Sequence, residues 1–391
     1  MQKYRKQFIR NFDFPLFFVY LALILFGLVM IYSSSLVWAV GRYGFEPDHF
    51  FKKQVQNLIL SVPAFLFFAF FPYKNYKRKN IMIASVVGMI GLLLAVHFFG
   101  YGKEQLGAQS WIRVAGVNIQ PSEFAKIIIL IYFSSVFAKK YENGTLQNIR
   151  ESVGPPIIIL LIVVGLVMSE TDMGTSFIIV VGALSVIAAS GINHKGAFKL
   201  LSIVTVSAVA VGSIVLFFLW DTVMTGSRKG RILSYLNPFD YASGSGFQIV
   251  NGYIAIGSGG VTGNGLGDSV QKMGYLPEPH TDVIMAVISE ELGIFGGIIV
   301  IGGLGFIVIR ALTLAIKAKD PQARMLATGI GSVIGIQTFV NLGGLMGIIP
   351  LTGVPLPFIS YGGTSVILMS IAVGILMNVS MFIKYEKKKT T

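Results

Sequence analysis

Hydrophobic residues occur in long unbroken runs along most of this chain, and polar residues are confined to the segments between the runs. Ten runs approach the roughly 20 apolar residues that a helix needs to cross a bilayer. They predict transmembrane helices at about 14–34, 55–72, 80–99, 121–138, 154–169, 173–190, 199–220, 282–309, 325–349 and 361–383. The first run follows a basic start, as in a signal peptide, but its length favours a retained helix. We therefore expect an all-α polytopic membrane protein that forms one domain over residues 1–391.

The distribution of charge predicts the orientation of these helices. With the N-terminus inside, two thirds of the 31 basic residues fall in inner segments, whereas most of the 18 acidic residues fall elsewhere. The positive-inside rule then places both termini, residues 1–13 and 384–391, in the cytoplasm. The polar segment 221–281, between the seventh and eighth helices, becomes a large extracytoplasmic loop. The net charge of +13 then reflects topology and attraction to anionic membrane lipid, so we predict no nucleic-acid partner.

Composition narrows the chemistry further. Charged residues make up 13% of the chain, about half the share in a soluble protein. The chain has no cysteine, which excludes disulfides, thiolate nucleophiles and cysteine-based metal sites. Its four histidines show no metal-ligand spacing. Every unusual polar motif is predicted to fall on the outer face, which is where we expect any chemistry.

The segment Gly274–Gly293 places three acids around one apolar run. Asp282 lies at the mouth of the predicted helix, and on a helix Glu290 lies about 12 Å deeper, with Glu291 near the opposite face. An acid at membrane depth is a functional hypothesis by default, because its charge is costly there. Asp282 has two open interpretations, a helix N-cap or a general base whose pKa is raised by apolar surroundings. The cap does not explain the two glutamates, which we expect to bond to other helices.

Basic residues near the outer face are candidates to hold an anionic leaving group such as pyrophosphate. They are Arg113, Lys126, Arg228, Lys229, Arg231 and Lys272. The cluster that opens the long loop is equally consistent with a solvated or lipid-headgroup contact. Glu123 and Lys126 are spaced to pair on one helix face, so a self-satisfied ion pair is an alternative. Among the histidines, His280 alone lies beside acids, and Trp111 is either an interfacial anchor or a surface for lipid or sugar.

Three further segments stand out on the outer face. Residues 169–172 form either a simple turn with an N-cap or a second acidic site. Asn341–Ser365 is rich in proline and glycine, so it is either a cavity wall or an outer hairpin turn. Phe247–Ser258 is typical of a short helix lying in the membrane interface. A base, a phosphate clamp and a lipid-accessible cavity indicate group transfer from a lipid-linked substrate, and the residues alone do not name a sugar.

Four long strings resemble the signature blocks of the SEDS family (shape, elongation, division and sporulation). They are QSWIRVAGVNIQPSEFAK, NPFDYASGSGFQIVNGYIAIGSGGVTGNGLG, GYLPEPHTDVIMAVISEELG and PLTGVPLPFISYGGTS. The resemblance covers essentially the whole chain, including the ten-helix layout. It is greatest for the cell-division branch (FtsW type), and the rod-elongation (RodA type) and sporulation branches are close.

The resemblance implies a peptidoglycan glycosyltransferase of the bacterial cytoplasmic membrane, at the division septum if it is of FtsW type. Such an enzyme polymerises lipid II into a nascent glycan strand on the outer face and releases undecaprenyl pyrophosphate with inversion. The implied partners are a class B penicillin-binding protein and other membrane proteins of the division complex. A divalent cation, Mg²⁺ or Mn²⁺, is left open, and its ligands are not identified. A lipid II flippase and a non-catalytic division scaffold are the alternatives.

The resemblance also assigns roles to residues of this chain. The implied catalytic residue is Asp282. The candidates for binding substrate or pyrophosphate are Trp111, Arg113, Glu123, Lys126, Arg231, Lys272 and His280, and the supporting candidates are Asp172, Glu290, Glu291, Ser360 and Gly362. One departure is visible, since relatives often carry Gln-Pro-Asp-hydrophobic-Gly before the sixth helix. This chain has Glu170-Thr171-Asp172-Met173-Gly174 there, without the proline.

Overall fold

The computed structural model describes residues 10–100, 110–114, 117–193, 196, 202 and 226–390, and it is almost entirely helical within them. Its helices are α1 (Phe14–Gly41), α2 (His49–Phe70), α3 (Lys79–Phe99), α4 (Pro121–Glu142), α5 (Ile149–Ser169), α6 (Met173–Ala189), α7 (Gly226–Leu236), α8 (Phe247–Gly259), α9 (Ile284–Lys317), α10 (Pro321–Leu345) and α11 (Gly363–Thr390). Short 3₁₀ turns occupy Tyr73–Lys77 and Gln271–Met273. Two antiparallel strands, β1 (Ile112–Val114) and β2 (Val117–Ile119), form a hairpin before α4.

The helices coincide with nine of the ten predicted spans, and the seventh, 199–220, lies outside the described residues. Within the described ranges, eight helices are long and apolar enough to cross a membrane, and α6 is shorter at 17 residues. The chain is therefore a multi-pass membrane protein, and the count of ten stays a prediction. The eighth predicted span needs a correction, because α9 begins at Ile284 and extends to Lys317.

The helices α4 and α11 form the centre of the bundle and are largely buried. One face of α11 runs along α2, and α10 packs against α4, α6 and α9. At one end of the bundle, Arg310 makes a forked pair with Asp13, with nitrogen–oxygen distances of 2.8 to 3.0 Å. At the same end, Lys388 donates to Asn11 at 2.7 Å. The N-terminal and C-terminal segments therefore meet on one side of the bundle, as a chain with both termini in the cytoplasm requires.

The outer part of α9 is interrupted at Gly293, which has a left-handed φ of 60°. A Cβ there would collide with the carbonyl oxygen of Val261, so the close approach of the two backbones requires glycine. The interruption leaves the carbonyls of Glu290 and Glu291 without helical partners. The backbone N–H groups of Asn264 and Gly265 donate to them, each at 3.0 Å. The loop thus satisfies backbone groups that would otherwise be costly near the membrane.

The side chains of the two deep acids take different partners. Glu291 accepts from Ser33 of α1 at 2.7 Å, as expected for a helix-bonding group. Glu290 bonds instead to the end of the long loop: it accepts from Ser269, from the backbone N–H of Val270 at 2.9 Å and from that of Gln271, which begins the short 3₁₀ turn, rather than from another transmembrane helix. The expectation that both acids bond to other helices is therefore wrong for Glu290. Together they anchor the last part of the long loop to α9.

Candidate active site at the outer end of the bundle

Asp282 lies in a turn before α9 and not on the helix, so the predicted depth of Glu290 relative to it does not apply. The N-cap residue of α9 is Val283, and no side chain caps this helix end. The cap interpretation of Asp282 is therefore wrong. The turn begins at Glu278, whose φ of 43° is rare for a residue other than glycine. Such conformations cost about 1–3 kcal/mol and cluster at functional sites, which favours a chemical role for this turn.

The carboxylate of Asp282 is held by neutral donors. Gln248 of α8 donates to Oδ1 at 3.4 Å, and the hydroxyl of Thr281 lies 3.1 Å from the same oxygen and 2.7 Å from the carbonyl oxygen of Glu278, so its one proton is shared between the two acceptors. Burial raises the pKa of Asp282, and the charge of Arg231 on α7 partly opposes that shift. A carboxylate with a raised pKa is a stronger base. Burial also raises the pKa of Glu278, helped by the nearby charge of Asp282 and opposed by a hydrogen bond from Tyr43.

The segment before α11 forms the wall beside Asp282. Gly353 has a left-handed φ of 74°, and a Cβ on it would lie 4.0 Å from Oδ2 of Asp282. The side-chain amide of Asn341 donates to the carbonyl of Asp282 at 2.6 Å and to that of Val354 at 2.8 Å. Residues 350–356 are irregular, and their side chains range from exposed to buried. The segment is therefore irregular backbone next to Asp282, and the cavity-wall interpretation stays a prediction.

Glu123 and Lys126 form a buried ion pair of 2.7 Å on α4. Lys126 also donates to Oε1 of Gln337 at 2.7 Å, and Gln337 in turn donates to the carbonyl of Pro355 at 2.9 Å. The predicted anion-binding role is not what the geometry shows, because both side chains are almost fully buried. The pair is instead connected to the segment beside Asp282 through Gln337.

Two predicted anion-binding residues are engaged elsewhere. Lys272 is 4% exposed and donates to Glu291, Ser33 and the carbonyl of Gly267, which uses its three N–H groups. His280 packs its ring against Phe50, with centroids 4.2 Å apart, and burial lowers its pKa to about 3. A neutral histidine supplies no charge to a pyrophosphate. Both assignments are therefore corrected, to a loop anchor and a packing residue.

The turn between α5 and α6 joins the wall from another side. Asp172 caps α6 by accepting from the backbone N–H of Thr175 at 3.0 Å and also accepts from Gln120 at 3.0 Å. Thr171 occupies the position where the family motif often has proline, and its φ is 67°. Proline cannot adopt this φ, which explains why the turn has threonine there. Glu170 is buried, and neither of its carboxylate oxygens has a hydrogen-bond partner. Burial and the charge of Asp172 raise the pKa of Glu170 to about 8.

The remaining predicted residues lie around the same end. Trp111 is half-buried beside β1, and Arg113 on β1 is exposed, with Nε 3.4 Å from the side-chain oxygen of Asn118. The hydroxyl of Ser360 accepts from the backbone N–H of Leu356 at 2.8 Å, which fixes the wall. Gly362 directly precedes α11. Among the predicted cations whose side chains the structure describes, Arg231 has a charge that acts on Asp282.

Sequence reasoning missed several residues of the site. Gln248, Glu278 and the pair Gln337 and Asn341 come from three separate parts of the chain, and these isolated polar residues gave no site spacing to detect. The one available signal was that amides inside predicted membrane helices are costly unless paired. The described residues contain no group of three or more histidine, cysteine or acidic side chains placed to hold a metal. Mg²⁺ is usually held by one or two carboxylates and substrate phosphates, and Asp282 with Glu278 fits that mode.

The fold and the site define a polytopic membrane protein in which a carboxylate of raised pKa, Asp282, lies at the end of the bundle opposite the Asp13–Arg310 pair. The chain belongs to the FtsW/RodA/SpoVE family, described as cell cycle protein, which matches residues 14–385. It is 44% identical to the probable peptidoglycan glycosyltransferase FtsW of Bacillus subtilis, over 98% of this chain and 94% of that protein. It is 36% identical to stage V sporulation protein E of the same organism, over 95% and 98%.

Solved structures confirm the fold. One belongs to a peptidoglycan synthase complex described as coordinating polymerization and crosslinking, with a TM-score of 0.74 and 22% identity over 95% of this chain and 98% of that chain. The rod shape determining protein RodA of Thermus thermophilus gives a TM-score of 0.66 and 22% identity over 94% and 96%. At these identities the likeness shows the shared helical architecture.

Proposed function

We propose that this protein is a peptidoglycan glycosyltransferase that polymerises lipid II into glycan strands at the outer face of the bacterial cytoplasmic membrane. The observation that carries the proposal is Asp282, a carboxylate held by neutral donors beside the charge of Arg231. The family membership and the name of the Bacillus subtilis relative support the activity. The same relative favours the FtsW type and hence a role at the division septum.

In the proposed reaction Asp282 accepts the proton of a sugar hydroxyl on the acceptor lipid II. The hydroxyl oxygen forms a bond to the anomeric carbon of the donor strand, and the bond from that carbon to the pyrophosphate breaks. Undecaprenyl pyrophosphate leaves with the electron pair, next to the cationic Arg231. A single displacement converts the α-linked donor into a β-linked product, and solvent then removes the proton from Asp282.

A divalent cation, Mg²⁺ or Mn²⁺, is part of the proposal. Asp282 and Glu278 are the carboxylates that would hold it, together with pyrophosphate oxygens, and it would neutralise charge on the leaving group. Arg113, exposed on the hairpin, is a further cation for the same anion. A class B penicillin-binding protein, which cross-links the glycan, is the proposed partner, together with other membrane proteins of the division complex.

The test is polymerisation of purified lipid II by the full-length protein with its partner, compared with the isosteric variant Asp282→Asn. We expect the variant to fold, to bind its partner and to lose polymerisation by at least ~100-fold. Normal polymerisation by the folded variant would refute the catalytic role of Asp282. An unchanged polymerisation rate after chelation with EDTA in the same assay would refute the proposed role of a divalent cation.

A further inference from the structure

Two side-chain amides on the buried face of α10 connect the segments around Asp282 to the rest of the bundle. Gln337 and Asn341 are one helical turn apart, so they project from the same face. Both are almost fully buried. Burying an amide without hydrogen-bond partners costs free energy. These two amides avoid that cost by donating to three backbone carbonyls, all in segments without regular secondary structure. Those carbonyls belong to Asp282, Val354 and Pro355.

The orientation of each amide follows from its partners. Asn341 faces two carbonyl oxygens, which accept hydrogen bonds only from its NH₂ group. Its own side-chain oxygen has no partner. Gln337 receives the ammonium of Lys126, a pure donor, so its oxygen faces Lys126 and its nitrogen faces Pro355. The geometry therefore leaves one arrangement for each amide.

We propose that Asn341 and Gln337 are positioning residues for the glycosyl transfer, an inference that rests on the proposed function of Asp282. Asn341 ties the backbone of Asp282 to Val354, next to Gly353, which borders the Asp282 carboxylate. Gln337 ties the following residue of the wall to the Glu123–Lys126 ion pair. The base and the wall are thereby held in one arrangement, fixed to α10 and, through Lys126, to α4. A displacement of about 1 Å in such a site costs on the order of 100-fold in rate.

The chain provides a matched control for each amide. Asn378 is also fully buried and donates to the carbonyl of Ala69 at 2.7 Å, but it lies at the cytoplasmic end of α11. Gln322 is fully buried on α10 itself and donates to the carbonyl of Tyr73 at 3.2 Å at the same cytoplasmic end. Removing a control amide costs stability for the same physical reason and leaves the arrangement around Asp282 unchanged.

The experiment measures kcat and KM for lipid II polymerisation by the full-length protein with its partner, between about pH 5 and 9. For Asn341→Ala we expect kcat to fall ~10- to 100-fold with KM changed by less than about threefold. The acidic limb of the pH profile moves to lower pH, because water that reaches a loosened Asp282 reduces the effect of burial. Asn378→Ala melts at a lower temperature but keeps its kcat, KM and pH profile.

A second pair covers the case in which Asn341→Ala does not fold. Gln337→Leu is expected to lower kcat ~3- to 10-fold, because it releases the wall and not Asp282 itself, whereas Gln322→Leu leaves kcat unchanged. Hydrogen exchange provides a readout apart from activity: amides of residues 351–361 exchange faster in Asn341→Ala and Gln337→Leu than in the two controls.

The outcomes separate this inference from the proposed function. If Asp282→Asn is inactive while both amide variants match their controls in kcat, pH profile and exchange, the positioning role is refuted and the function stands. If Asp282→Asn polymerises normally, the proposed chemistry fails whatever the amide variants do. If the amide variants lose kcat and their wall amides exchange faster, the positioning role is supported.

Discussion

Replacing Lys272 with methionine tests whether its ammonium holds the long loop or the substrate. Lys272 donates to Glu291 and to the carbonyl of Gly267, each at 2.6 Å, and to Ser33 at 3.0 Å. The side chains of Lys272 and Glu291 are 4% and 0% exposed, so water does not replace a lost partner. Methionine has a similar length and keeps the packing, but it leaves the carboxylate of Glu291 with Ser33 as its remaining donor.

The cost follows from that uncompensated charge. Removing one partner of a buried ion pair destabilises a protein by about 3–5 kcal/mol. At 1.4 kcal/mol per factor of ten, the unfolding equilibrium shifts by roughly two to four orders of magnitude. Taking about 2 °C per kcal/mol for a protein of this size, Lys272→Met should melt about 6–10 °C below the unaltered protein. The double variant Lys272→Met with Glu291→Leu should recover most of the loss, because replacing both partners of a buried pair is often neutral.

The measurement is thermal unfolding in detergent, followed by tryptophan fluorescence, together with KM for lipid II. Lys52 supplies the control, since its pairs with Glu46 and Asp48 lie on an exposed surface and Lys52→Met should melt like the unaltered protein. The double variant should bind lipid II with an unchanged KM. An unchanged melting temperature for Lys272→Met combined with a raised KM would refute the reasoning and restore Lys272 to the anion site.

Two further predictions concern the backbone and pH. Gly293→Ala should destabilise the protein by about 1–3 kcal/mol in thermal unfolding, because φ is left-handed and the added Cβ meets Val261. The control Gly305→Ala has open space around the added Cβ and should not lower the melting temperature. Equal melting temperatures for the two variants would contradict this prediction. For Glu170, whose pKa of about 8 exceeds the ordinary value near 4.3, the unfolded chain binds fewer protons between these values, so stability falls as pH rises through that window. The melting advantage of Glu170→Gln should therefore grow between about pH 5 and 9, and a constant difference would refute the buried, unpaired state.

Sequence patterns predicted the architecture well because the membrane imposes a simple rule. Each apolar run of sufficient length becomes a helix, and nine predicted runs coincide with helices of the described structure. The rule does not predict the interruption of α9 at Gly293, because the sequence stays apolar there while the backbone of the long loop packs against the helix. The short helix Phe247–Gly259 was also predicted, because it is apolar enough to lie in the interface and bounded by glycines.

The site was predictable only in part, because side-chain pairing depends on contacts between distant segments. Asp282 was identified from its type and position alone. Lys272 and His280 looked equally available in the sequence, yet one is neutralised by Glu291 and the other packs on Phe50. In contrast, Asn341 was not identified as a site residue, since the role of an isolated amide in an apolar run becomes clear only when its two carbonyl partners are known.

The hydrogen-bond donors around each buried carboxylate distinguish those with a structural role from the one suited to catalysis. Glu123 and Glu291 are each paired with a buried ammonium, so each carboxylate already has a structural partner of opposite charge. Glu290 accepts from backbone N–H groups and a hydroxyl, and it is enclosed by the loop that it anchors. Asp282 is held by an amide and a hydroxyl, stays half-buried, and has Arg231 nearby without being neutralised by it. It therefore keeps its basicity beside a cation suited to an anionic leaving group, and that combination is what an inverting transfer from a pyrophosphate donor requires.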